Sequence, residues 1–127
     1  MTDLAILSDG TTLLASSSDR VVSLYDLRET TRSGPPPVLP HPSFPSALCA
    51  HPTSPHKVAS GAYDGFVRMW DLRSIKSPVN SFEVTAKKGR DGKKIMSIDW
   101  VTGLLAIGGE AAVDLWKVSE NDEVTRS

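Results

Sequence analysis

The sequence predicts an all-β chain built from repeats of one small unit. Nine glycines and nine prolines interrupt its 127 residues, and eight of the prolines fall between Pro35 and Pro55, so few stretches are long enough for a helix. The apolar residues come instead in short β-branched and aromatic runs: Val21–Tyr25, Phe66–Trp70 and Val113–Trp116. In each run apolar and polar residues roughly alternate, as in a strand with one face against another layer. The runs also recur. Asp19-Arg20-Val21-Val22-Ser23-Leu24-Tyr25-Asp26-Leu27-Arg28 aligns with Asp64-Gly65-Phe66-Val67-Arg68-Met69-Trp70-Asp71-Leu72-Arg73, and Glu110–Val118 aligns with the second copy, at a spacing of about 45 residues. Several short strands per unit at that period point to a β-propeller.

Taken in order, the first unit offers runs at Asp3–Leu7, Leu13–Ser17 and Val21–Tyr25. The second is predicted to place strands at 46–50, 57–61, 66–71 and near 79–84. The third places them at 94–100, 104–108 and 112–118. No fourth strand is expected there, because Ser119–Ser127 is short and polar. The repeats therefore span about 1–39, 40–84 and 85–118, with a polar tail at 119–127. The proline-rich stretch Ser33–Pro45 reads as a stiff connection or as a polyproline ligand.

Fourteen basic and fifteen acidic residues leave a net charge of −1. That balance argues against wholesale coating of nucleic acid or membrane and leaves room for a local patch. Apolar residues make up 39 % and charged ones 23 %, the balance of a globular chain and not of a disordered one. Cys49 stands alone, which excludes an internal disulfide framework and a cysteine-based zinc site and suits a reducing, intracellular setting. No apolar run approaches about 18 residues, and the N-terminus lacks the pattern of a signal peptide.

The segment Ala59-Ser60-Gly61-Ala62-Tyr63-Asp64-Gly65-Phe66-Val67-Arg68-Met69-Trp70-Asp71 resembles the WD-repeat signature. The first unit departs from it with Tyr25 in place of the Trp and a shortened turn. The third departs with Trp116-Lys117 at its end. More narrowly, Tyr63–Val84, Asp91–Trp100 and Gly103–Val118 resemble the C-terminal repeats of the YTM-type family of ribosome-biogenesis proteins, whose animal counterpart is WD-repeat protein twelve. The resemblance implies a ubiquitin-like N-terminal domain followed by a seven-bladed propeller. This chain would supply the last three repeats, as a fragment or as one piece of a cleaved protein. It also implies that a strand from the N-terminal part of the propeller closes the last blade.

The function implied is that of a non-enzymatic scaffold without cofactor in the nucleus, nucleolus and nucleoplasm, acting in large (60S) ribosomal subunit assembly. Its implied partners are a pescadillo-type protein and a second propeller of the block-of-proliferation type, in the PeBoW assembly that supports precursor rRNA processing on the pre-60S particle. A midasin-type ATPase would act through the ubiquitin-like domain. An alternative comes from Trp70-Asp71-Leu72-Arg73, echoed by Tyr25-Asp26-Leu27-Arg28. These segments also resemble the motif by which some propellers serve as substrate receptors of cullin-type ubiquitin ligases.

Four residues form the clearest polar constellation: His41, Ser60, Asp64 and Trp70. In the family these positions make a buried relay in which Trp donates to Ser, Ser bonds His and His bonds Asp. A Ser/His/Asp set also suggests a hydrolase triad, but no G-x-S-x-G nucleophile elbow accompanies it. His41 and His51 each precede a proline, which is turn chemistry, and no metal site is expected. Lys87, Lys88, Arg90, Lys93 and Lys94 form a basic run with three open readings: a solvated loop, a nuclear import signal, or a contact on RNA phosphates. No aromatic residue is interleaved with it, so base stacking has little support.

In an antiparallel meander of strands a to d, the b–c turns and the d–a connections share one end of every blade. Tyr63, with Arg20 and Glu110, is the candidate partner-binding set on that end. The competing reading packs Tyr63 against a neighbouring blade. Three repeats also leave an apolar face at each end of the stack, so the chain is expected to need the remaining blades of its own propeller.

Overall fold

The computed structural model describes residues 3–7, 10–27, 37–54, 56–74, 76–84, 94–101, 103–109, 113–119 and 124–126. These residues form three four-stranded antiparallel meanders and no helix. The first sheet runs β1 (Asp3–Ile6), β2 (Thr12–Ser16), β3 (Val21–Asp26) and β4 (Val38–Pro40). The second runs β5 (Pro45–Ala50), β6 (Lys57–Ala62), β7 (Phe66–Asp71) and β8 (Asn80–Glu83). The third runs β9 (Ile95–Val101), β10 (Leu104–Gly109), β11 (Val113–Val118) and β12 (Val124–Arg126). Strand β5 lies against both β1 and β9, so the first strands of the sheets converge along one side, as the inner strands of propeller blades do.

Alternation along the strands decides what each sheet buries. In the second sheet, Leu48, Val58 and Trp70 pack with Leu7, Leu14, Val22 and Leu39 of the first. The intervening residues Ala47, Cys49, Ala59, Val67 and Met69 pack with Ile95, Trp100, Leu105 and Ile107 of the third. The middle sheet is thus covered on both faces. The outer sheets bury one face each, and the other stays open. Leu4, Ile6, Tyr25 and Val38 are exposed on the first sheet, and Met96, Val101, Val113 and Leu115 on the third. Val113 is 73 % exposed.

Gly61 sets the approach of the second and third sheets. A Cβ there would stand 2.5 Å from Ile95 Cγ2 and 3.1 Å from Ile95 Cβ, and Ile95 is fully buried. Side chains join the inner strands where no backbone ladder does. Asp3 Oδ2 accepts the Leu48 N–H at 2.8 Å, and the Ser46 hydroxyl donates to the Ile95 carbonyl.

The third sheet corrects one expectation. A fourth strand is present: Val124 pairs with Val118, Thr125 with Lys117 and Arg126 with Trp116. The polarity of Ser119–Ser127 argued against it, but an outer strand needs little apolar content. Leu39 is the one core residue of β4, Phe82 the one that β8 packs against the core, and Val124 fills that role in β12. For the same reason β4 lies within the proline-rich stretch read as a connection. The pairing of β12 reaches only Trp116–Val118, so among the described residues the Val113–Leu115 part of β11 keeps an open outer edge.

Candidate functional site

Two polar assemblies stand out. The first lies in the seam between the first two sheets. His41 follows β4 in the connection to β5, Ser60 lies on β6 and Trp70 on β7. Trp70 Nε1–H donates to Ser60 Oγ at 3.1 Å. His41 Nε2 lies 2.7 Å from Ser60 Oγ, and His41 Nδ1 lies 3.0 Å from the Leu39 carbonyl oxygen. A carbonyl only accepts, so Nδ1 carries the proton. Nε2 is then the acceptor of the Ser60 hydroxyl. The result is a chain of bonds with one donor direction, from Trp70 through Ser60 and His41 to Leu39.

Burial holds the His41 imidazole below its ordinary pKa of 6.5. The Leu39 carbonyl pulls the other way, and Arg68 adds a smaller downward push. His41 is therefore neutral at pH 7, as the donor order requires. Ser60 and Trp70 are each 1 % exposed, so the hydroxyl is held between two ring nitrogens inside packed side chains. What this arrangement does chemically is tie the end of the first sheet to the middle strands of the second.

Asp64 does not close the relay onto His41. Both imidazole nitrogens are already engaged, and Arg68 offers the carboxylate a full charge and a forked donor set. Asp64 Oδ2 lies 2.8 Å from Arg68 Nη2, Oδ1 lies 3.4 Å from Nη1, and Oδ1 also accepts the Phe66 N–H at 3.1 Å. Asp64 thus fastens the turn before β7 to that strand. Arg68 is buried, with its guanidinium carbon 5.4 Å from the Phe66 ring centroid. Sequence reasoning missed Arg68, although its place four residues after Asp64 was the available signal.

The second assembly lies on the end of the blades that carries the b–c turns and d–a connections. Arg20 Cζ stands 5.7 Å from the Phe44 ring centroid. Phe44 meets Tyr63 edge to face, with centroids 5.9 Å apart, and Lys94 Nζ stands 4.8 Å from the Tyr63 centroid. Tyr63 is half-buried, between the two readings offered for it. Phe44, which sequence reasoning passed over, is 39 % exposed. Of the basic run only Lys94 is described. Glu110, Lys87, Lys88, Arg90 and Lys93 lie outside the described residues.

At the opposite end, His51 Nδ1 accepts the N–H groups of Thr53 and Ser54 at 3.1 and 2.9 Å, which organises the β5–β6 connection. Asp71 and Arg73 form a forked pair, Oδ2–Nη2 2.7 Å and Oδ1–Nε 3.0 Å, and Arg73 holds the Asp71 carboxyl down to about 2. The Trp70–Arg73 motif therefore shows an arginine already engaged by its own aspartate. Among the described residues no three His, Cys, Asp or Glu side chains come together as a metal site.

Comparison with known proteins agrees with this architecture. The family model "WD domain, G-beta repeat" matches residues 1–26 and 37–71. The chain is 42 % identical over 124 residues to ribosome biogenesis protein YTM1 of Laccaria bicolor, covering 96 % of this chain and 27 % of that one. It is 43 % identical over 123 residues to the YTM1 protein of Coprinopsis cinerea, covering 95 % and 26 %. It is 32 % identical over 102 residues to a ribosome biogenesis protein WDR12 homolog of Ixodes scapularis, covering 78 % and 22 %. The chain is thus built of WD repeats folded as propeller blades, is similar to the YTM1 proteins along almost its whole length, and spans about a quarter of theirs.

Proposed function

We propose that these WD repeats are three adjacent blades of a closed propeller that acts as a non-enzymatic scaffold in assembly of the large ribosomal subunit. The observation that carries this reading is the 42 % identity to a ribosome biogenesis protein over 96 % of the chain. The open faces of the outer sheets support the ring. Leu4, Ile6 and Tyr25 on one, and Met96, Val113 and Leu115 on the other, lie on the kind of face that the second sheet has covered on both sides. Further blades of the same protein would cover them.

In this proposal the ring works in the nucleus and nucleolus as one rigid block beside a pescadillo-type protein and a second propeller. Its partner-facing end carries Arg20 and Tyr63. The buried relay of His41, Ser60 and Trp70 is structural and keeps adjacent blades in register.

The test is affinity purification of the tagged full-length protein from the cells that make it, with mass spectrometry and RNA analysis. The expected result is recovery of a second propeller, a pescadillo-type protein and precursors of the large-subunit rRNA. Depletion is expected to make those precursors accumulate. Recovery of a cullin adaptor in their place would overturn the reading.

A further inference from the structure

We propose that Arg20, Phe44, Tyr63 and Lys94 form a docking strip for an acidic, extended segment of a partner protein. This deepens the scaffold reading and rests on it only in assigning this end of the blades to a partner.

The four side chains come from four separate connections and reach across all three sheets. Arg20 lies in the β2–β3 turn, Phe44 before β5, Tyr63 in the β6–β7 turn and Lys94 before β9. Successive separations of 5.7, 5.9 and 4.8 Å make one continuous series of cation, ring, ring, cation. Such a series is covered by at most about five residues of extended chain.

The charges point to an anionic ligand. Arg20 and Lys94 are exposed, and among the described residues neither is paired with a carboxylate. Of the acids described in the same two turns, Asp64 is held by Arg68, and Asp19 accepts the Ser17 hydroxyl. Each cation rests over a ring, which fixes its position and leaves its outward N–H groups for a ligand.

The same contacts favour carboxylates over nucleobases. Base stacking needs open ring faces. Here Arg20 lies over Phe44, Lys94 over Tyr63, and the two rings meet edge to face at 88°.

The backbone adds an independent observation. Arg20 has φ 69°, in the left-handed region that disfavours side chains, and the matching turn of the second sheet has Gly65 at φ 83°. The chain keeps a strained arginine where glycine is the easier residue. Held strain of this kind marks functional positions.

The experiment uses the full-length protein and fluorescence anisotropy with a fluorescein-labelled hexaglutamate peptide and, separately, a labelled hexauridylate RNA. The expected result is saturable binding of the peptide, weakened about tenfold by Arg20→Gly with Lys94→Gln. Lys76→Gln, which removes a charge at the opposite end of the blades, is expected to change it less than about twofold. Thermal melting of Arg20→Gly checks that the turn survives, since glycine suits that conformation. Three results would overturn the strip: no peptide binding, an equal loss from Lys76→Gln, or tighter binding of the RNA that is lost with the double variant. The ribosome-assembly reading is read separately from the purified partners, so either proposal fails without the other.

Discussion

The seam between the first and second sheets and the seam between the second and third are built from the same repeat by different means. In the first, Val58, Ser60 and Trp70 face the neighbouring sheet, and the Ser hydroxyl links Trp70 to His41. In the second, register places Leu105 opposite Trp116 and Ile107 two residues further along, so an isoleucine stands where the serine would be. At this position that seam has an apolar side chain in the hydroxyl's place. Phe82 lies 4.5 Å from Trp116 centroid to centroid, and Ile95 sits against Gly61. A polar link defines one arrangement but leaves buried groups exposed to loss if any member is removed. An apolar seam tolerates exchange of similar volumes and resists crowding instead.

Variants of the full-length protein, compared by urea denaturation, test that distinction. The largest effect is expected from Ser60→Ala, which strands both Trp70 Nε1–H and His41 Nε2 and costs about 2–4 kcal/mol. A cost under about 1 kcal/mol would mean that the polar link adds nothing. Gly61→Ala comes next, at about 1–3 kcal/mol, because Ile95 must move within the filled seam. An alanine accepted without loss would show that the approach of the sheets is looser than the contact distances indicate. Ile107→Val is expected to cost about 1 kcal/mol and to leave the first seam untouched. Coupling between Ile107→Val and Ser60→Ala in a double-mutant cycle would show that the seams are not independent.

The smallest effect is one of pH. Because burial sets the His41 pKa below its unfolded value, the unfolded chain takes up the proton first as pH falls. Stability is thus complete above about 6.5 and is lost as pH falls from there toward the folded value. His41→Gln is expected to flatten that slope. A slope of equal size in the variant would place its origin elsewhere.

Most of the strands were legible because they carry a two-residue alternation repeated at a fixed spacing. Residues 66–71 and 104–108 are examples, observed at Phe66–Asp71 and Leu104–Gly109. Strands β4 and β12 were not, since each buries a single residue amid proline or acidic neighbours. The participants in the site were less visible than the strands. Choosing between His41 and Arg68 as the partner of Asp64 depends on which ring nitrogens the Leu39 carbonyl and Ser60 have already engaged, which no spacing encodes. Phe44 and Lys94 lie 19 and 31 residues from Tyr63, and only the convergence of β5 and β9 brings their connections beside its ring.

The one-way donor order of the relay also gives the molecule a built-in spectroscopic marker. An imidazole N–H in solvent exchanges too quickly to be seen by proton NMR. The His41 Nδ1 proton, buried and donated to the Leu39 carbonyl, is placed to survive. A resolved downfield signal from it would report that the first two blades are docked. Its broadening on warming would time their separation without any label added to the protein.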